Sequence, residues 1–414
     1  MATGSGKFPQ MHPVPGFRLG TACAGIKTPG RKDLVVMELS ESASVAAVFT
    51  QNAFCAAPVT VAKQHLESAT PRYLLINTGN ANAGTGETGL ADAQQSCEVL
   101  AELQSQLSTK ALPTKVLPTK VLPFSTGVIG EPLPMDKLLA GIPEAVKALD
   151  ENGWADAAEG ILTTDTRPKG ASLQFNLDGS KDLLTITGIT KGSGMIKPNM
   201  ATMLGFVATD AQIDPELLHR ALHLVTNKSF NRITVDSDTS TNDAVVLAAT
   251  GASGIVIDES SFEQFVAHLE KVFIELAQSI IRDGEGASKF VSVVVDSAVD
   301  SAEAVKVAYC IAESPLVKTA LAASDANWGR ILAAVGRAGV DNLDVSKVSI
   351  SLNDVLIVEQ GGRAACYSEQ AGEQAMAAED ITIQVSLNRG TAAETVWTTD
   401  LTYEYVRINA EYRT

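Results

Sequence analysis

Residues 191–205 read KGSGMIKPNMATMLG, and this stretch divides the chain chemically near its middle. Gly192 and Gly194 permit positive φ and close backbone approach. Pro198 removes a backbone donor and pushes Lys197 out of helical geometry. The small residue Ala201 then precedes Thr202, and an apolar run follows. An N→O acyl shift needs such a segment: the threonine hydroxyl must reach the preceding carbonyl, and a small side chain keeps that approach open. Hydrolysis of the ester would free Thr202 as a new N-terminus. Its α-amine, with a reference pKa of about 7.7–8.0, could serve as general base for its own hydroxyl. The same residues also suit a surface turn (KGSGM) feeding a buried strand (MATML). Composition alone favours the turn.

Outward from this segment, strand-like and helix-like patterns alternate without a strict period. Upstream, Tyr73–Asn77 is a short apolar run ending in a Gly/Asn loop, 78–86. Gly89–Leu107 has helical spacing in Leu90, Ala93, Cys97, Leu100 and Leu103. Val121-Leu122-Pro123 leads into a turn-rich segment, 125–130. Helices are expected at Met135–Leu149 and Ala155–Leu162, and a hairpin at Ser172–Leu177 and Leu183–Thr190 around Asp178-Gly179. Downstream, helices are expected at Pro215–Thr226 and Phe262–Arg282. Phe290–Val295 reads as a strand buried on both faces. Strands follow at Val348–Leu352, Ile381–Leu387 and Thr395–Ile408. Helices mixed with antiparallel hairpins argue for a layered α/β fold rather than a doubly wound one. Residues 112–123 read LPTKVLPTKVLP, a tandem repeat whose prolines allow at most the last copy to be sheet.

The chain of 414 residues is 45% hydrophobic, enough for one large core or two ordinary ones. No stretch approaches the roughly 20 uninterrupted apolar residues of a membrane helix. The first 32 residues lack Asp and Glu but are broken by Pro9, Pro13 and Pro15, and they read as an irregular arm rather than a targeting helix. A net charge of −16 repels phosphate backbones, so nucleic-acid binding is not expected. Cys23, Cys55, Cys97, Cys310 and Cys366 are scattered, without a CxxC pair, and read as buried small residues in a reducing, cytoplasmic compartment. No metal site is expected. His219 and His223 lie four apart on a helix without an HExxH frame. Asp236, Asp238, Asn242 and Asp243 lack the glycine and terminal glutamate of a calcium loop, and suggest a hydrogen-bonded loop near the site.

Several further segments carry a resemblance: LINTGNANAGTG at 75–86, LPFSTGVIGE at 122–131, ILTTDTRPK at 161–169 and KGSGMIKPNMATMLGF at 191–206. NRITVDSDTSTND at 231–243, RDGEGASKF at 282–290, KTALAASDANWGRILAAVG at 318–336 and INAEYRT at 408–414 continue it. In this order, from about residue 17 to the last, they resemble the ornithine acetyltransferases, the ArgJ family of arginine biosynthesis. The tandem repeat before STG is the one departure, and it puts the length of that connection in doubt.

The resemblance implies a layered αββα-type fold and self-cleavage at Ala201-Thr202 into an α chain, 1–201, and a β chain, 202–414. Two of each would form a heterotetramer. It makes Thr202 the nucleophile and Thr126 with Gly127 the oxyanion hole, where STG alone would pass for an ordinary glycine turn. The substrate contacts it implies are Thr163, Lys191, Thr202, Glu285, Asn409 and Thr414. Thr164 competes with Thr163 for its place. Lys191 can pair with a carboxylate and Glu285 with an ammonium, or the two can form a salt bridge with each other. The implied activity moves an acetyl group from N2-acetylornithine to glutamate without a metal or organic cofactor. Whether acetyl-CoA also serves as donor is left open. The alternative is the related self-processing aminopeptidase/amidase class.

Overall fold

The computed structural model describes residues 2–4, 6–107, 115–197 and 203–411. Ala201, Thr202 and Thr414, together with the start of the tandem repeat, lie outside the described residues.

Alternating residues along two sets of strands turn to opposite faces, and this builds the centre of the molecule. One sheet has the order Phe17–Ala22, Leu34–Leu39, Tyr73–Asn80, Val121–Val128. A second has the order Ser44–Phe49, Ala244–Ala249, Leu204–Thr209, Leu183–Lys191, Lys169–Asn176. Val35, Met37, Leu74, Ile76 and Phe124 of the first meet Ile189, Leu204, Phe206 and Val246 of the second in one buried cluster. Phe124 and Phe206 touch edge to face at 5.2 Å. The opposite faces are covered by helices. Leu34, Val36 and Leu75 lie under Gly86–Leu107 and Met135–Lys147 through Cys97, Leu100, Leu138 and Ile142. Leu184, Ile186, Val207 and Val245 lie under Pro215–Lys228 and Phe262–Arg282 through Leu222, Phe265, Phe273 and Leu276. The layers therefore run helix, sheet, sheet, helix, as the resemblance implies.

A third sheet of seven strands, centred on Phe290–Ala298, follows in the C-terminal part. Its Val291, Val293, Val295, Ile350, Ile381 and Ile383 pack with Val307, Ile311, Leu321 and Val335 of the helices that cover it.

Five expectations need correction. Phe17–Ala22, within the supposed irregular arm, is a strand, because this proline-free stretch between Pro15 and Pro29 pairs antiparallel with Leu34–Leu39. The turn-rich 125–130 segment and the loop at 78–86 begin as strand, since Tyr73–Asn80 and Val121–Val128 pair in parallel through Gly79 and Gly127. Phe290–Ala298 has one fully buried face, with Ser292 and Val294 half-buried on the other. The expected strand 395–408 stops at Thr399, and Tyr403–Ala410 is a surface helix. Its tyrosines and valine mimic strand composition, but among the described residues no strand pairs with it. Finally, only Cys97 of the cysteines is buried; Cys23 and Cys366 are exposed, and all five are free thiols.

Candidate active site

The strands of the second sheet end together beside the end of Val121–Val128, and these ends close a cavity of about 270 Å³. Leu183–Lys191 runs antiparallel to Leu204–Thr209, so Lys191 sits opposite Leu204. Ala244 is level with Leu204 from the other side. Thr126, Gly127, Thr163, Lys191, Glu285 and Asn409 all line this cavity, as do Thr164, Met203 and Asp243. Every described residue that the resemblance assigned to the site is thus at one place, although these residues come from five separate segments. Met203, next in the chain to Thr202, is on the same wall.

Gly127 has a φ of 139°, and a Cβ added there would come within 2.3 Å of the Gly79 carbonyl carbon. Only glycine fits both the dihedral and the approach. Asn242 secures this corner: its Nδ2 donates to the Ala81 carbonyl at 2.6 Å and to the Ser125 carbonyl at 2.9 Å. The Asp/Asn cluster at 236–243 is, as expected, a hydrogen-bonded loop at the site. Asp236 accepts the backbone N–H groups of Met195 at 2.6 Å and Ile196 at 2.8 Å, and the Tyr405 hydroxyl at 3.2 Å.

The Lys191 ammonium donates to Thr126 Oγ1 at 3.2 Å, and burial lowers its pKa from the ordinary lysine value. The alternative salt bridge to Glu285 is not what Glu285 makes: its Oε2 accepts Asn409 Nδ2 at 2.8 Å. Gly194 lies so close that a Cβ there would be 2.4 Å from the Glu285 carboxyl carbon. Thr402 Oγ1 donates to the Gly286 carbonyl at 2.8 Å. The terminal helix is thereby tied to the loop that carries Glu285.

Two features were not read from the sequence. Lys169 Nζ, 1% exposed, lies 2.6 Å from Asp165 and 2.5 Å from Asp283, both 0% exposed at the side chain. Asp165 also accepts the Thr163 N–H at 3.0 Å and the Gly192 N–H at 2.6 Å, so this buried cluster holds two site segments in place. The only signal was the Asp-Lys pair within ILTTDTRPK and the aspartate of RDGEG, which resemblance alone did not explain. The second feature is Asp243, which faces the cavity from the segment read as a structural loop. His219 and His223 lie on the helix Pro215–Lys228, with their Nε2 atoms 3.2 Å apart and exposed.

The layers and the polar cavity at the sheet ends define the class: a layered α/β enzyme whose site is assembled across two sheets. The chain matches the ArgJ family over residues 18–414 and belongs to it. It is similar to the arginine biosynthesis bifunctional protein ArgJ of Pseudomonas syringae pv. tomato, 56% identical over 100% of both chains. It is 54% identical to that of Methylococcus capsulatus, over 97% of this chain and 96% of the relative. Among solved structures, ArgJ of Bacillus halodurans aligns at 41% identity with 50% of this chain and 97% of its own, with a TM-score of 0.48.

Proposed function

We propose that this chain transfers an acetyl group from N2-acetylornithine to glutamate through an acetyl-Thr202 intermediate, making ornithine and N-acetylglutamate for arginine biosynthesis. The observation that carries this is the convergence of Thr126, Gly127, Thr163, Lys191, Glu285 and Asn409 on one cavity that Met203 also lines. The near-full-length relatives named arginine biosynthesis bifunctional protein ArgJ support the same reading.

The geometry suits the chemistry. Because the Lys191 ammonium already donates to Thr126 Oγ1, the hydroxyl's own proton is free to point at an oxyanion, beside the turned backbone of Gly127. Fixed donors of this kind stabilise charge that develops in the transition state. Lys191 is also a counter-ion for an amino-acid carboxylate, and Glu285, steadied by Asn409, for the ornithine ammonium. No metal or organic cofactor enters the scheme.

In this reading the chain matures by cutting itself at Ala201-Thr202 into segments 1–201 and 202–414, which assemble as two α and two β chains in the cytoplasm. The five free thiols agree with a reducing compartment. Acetyl-CoA is a second donor to be tested beside acetylornithine. The decisive experiment follows acetylornithine consumption with and without glutamate. We expect consumption that requires glutamate, with parallel double-reciprocal lines. Glutamate-independent hydrolysis would instead favour the aminopeptidase/amidase class. An inert, uncut chain of 43.4 kDa would defeat both readings.

A further inference from the structure

We propose that Asp243 is a further catalytic residue of this acetyl transfer, a carboxylic acid that gives a proton to the departing amine and takes one back from the amine that replaces it. The proposal rests on the transfer reading above.

Asp243 lines the cavity and is 3% exposed. Its Oδ2 is buried and has no hydrogen-bond partner among the described residues, whereas its other bonding is local, to Ser240. Buried acceptors left open in this way are uncommon, and a catalytic role is one reason for keeping them. The residue is rigidly held. Its carbonyl accepts the Thr50 N–H at 3.0 Å, and the next residue, Ala244, donates to the carbonyl of Met203 at 2.9 Å. Asp243 is therefore anchored one residue from a contact with the neighbour of Thr202. The charged group that faces it is Lys191, whose ammonium donates to Thr126. Glu285, on the same cavity wall, is bonded to Asn409. Burial pushes the Asp243 carboxyl well above the usual carboxylate range, so it holds a proton where an ordinary aspartate would not.

The proton balance closes. In the first half-reaction the Thr202 oxygen bonds to the acetyl carbon and the C–N bond to ornithine breaks. The hydroxyl proton moves to the Thr202 amine, and the Asp243 proton moves to the departing nitrogen. This leaves an ammonium and a carboxylate in one site. In the second half-reaction the glutamate nitrogen bonds to the acetyl carbon and gives its proton to Asp243. The C–O bond to Thr202 breaks, and the ammonium returns its proton to that oxygen.

The test compares two acetyl donors in Asp243→Asn. An amide donor, N2-acetylornithine, needs its leaving nitrogen protonated; p-nitrophenyl acetate does not. We expect kcat with acetylornithine to fall by about 100-fold or more, the usual worth of a positioned acid–base group. The acylation rate with the ester should change little, and Asp243→Glu should recover part of the lost amide activity. Equal losses with both donors, or an undiminished rate with acetylornithine, would overturn the assignment. Should Asp243→Asn fail to mature, the wild-type enzyme carries the test. Infrared difference spectra of protein labelled with carbon-13 at aspartate should show a protonated carboxyl that disappears when acetylornithine acylates the enzyme, and absence of that band overturns the proposal. A wild-type enzyme inert to acetylornithine defeats the functional reading itself. An active wild type with an equally active Asp243→Asn defeats only the role of Asp243.

Discussion

Two clusters of buried charge flank the cavity and are finished in opposite ways. In the Lys169–Asp165–Asp283 cluster, one ammonium is shared by two carboxylates. Backbone and side-chain donors of Thr163, Thr166 and Gly192 occupy the remaining carboxylate positions. Burial alone would push the Asp165 carboxyl up, but Lys169, Lys191 and the hydrogen bonds outweigh it and hold it below the usual carboxylate range. Asp243 is buried and Lys191 half-buried, and among the described residues both are less completely partnered. Burial moves each toward its neutral form, Lys191 downward and Asp243 upward. Saturated buried charge is scaffold, because every lone pair and proton already has a partner. Unsaturated buried charge is costly to keep, and its natural place is a reaction site.

Replacing Thr202 by Ala leaves both clusters in place but removes the group that the open one serves, and has the largest effect. Cutting and acetyl transfer should both vanish, seen as one 43.4 kDa chain by intact mass. Thr202→Ser should still cut itself and retain part of the activity.

Gly127→Ala forces a side chain into a φ of 139° and against Gly79. We expect a loss of about 10²–10³-fold in kcat, the usual cost of removing an oxyanion-hole donor. A wild-type rate would remove Gly127 from the oxyanion hole.

Asp283→Asn breaks the saturated cluster and leaves Lys169 with one counter-ion. Removing one partner of a buried ion pair costs about 3–5 kcal/mol, and denaturant unfolding should show most of that loss. An unchanged midpoint would mean that the cluster is not the scaffold its bonding suggests.

The smallest effect concerns the stability of Asp243→Asn. A carboxyl whose pKa is raised in the folded state supports folding at low pH, and that support is lost as pH rises through the folded pKa. The variant lacks this titration. It should match the wild type at acidic pH and become increasingly the more stable of the two as pH rises above the usual carboxylate range. A pH-independent difference in unfolding midpoint would contradict the burial assigned to Asp243.

Much of the site was legible through the family resemblance, because its residues sit in short motifs such as STG, RDGEG and the Gly/Pro turn before Ala201-Thr202. Taken alone, each of these motifs also suits an ordinary turn or a solvated surface. The scaffold was not legible. Lys169 and Asp165 are four apart, but Asp283 is 114 residues further along than Lys169, and nothing in either segment marks the pairing. Asp243 reads from sequence as part of a hydrogen-bonded loop, because the spacing of Asp236, Asp238, Asn242 and Asp243 lacks the glycine and terminal glutamate of a calcium site. Its open oxygen is defined only once the fold buries Asp243 on the cavity wall opposite Lys191. Tyr403–Ala410 has the composition of a strand but not its partners, and a strand is distinguished from a helix by its partners as much as by its composition.

The helix, sheet, sheet, helix order and the roles of Thr126 and Gly127 are what the family resemblance implies. By itself, the sequence determined the alternating patterns of a layered α/β fold and the placement of one threonine after a small residue and a Gly/Pro turn. These follow from local sterics and periodicity, which act over a few residues. Only the tertiary structure decided which buried charges are neutralised and which are left open. That choice depends on desolvation and on distances between segments far apart in the chain, and neither is written in any one of them.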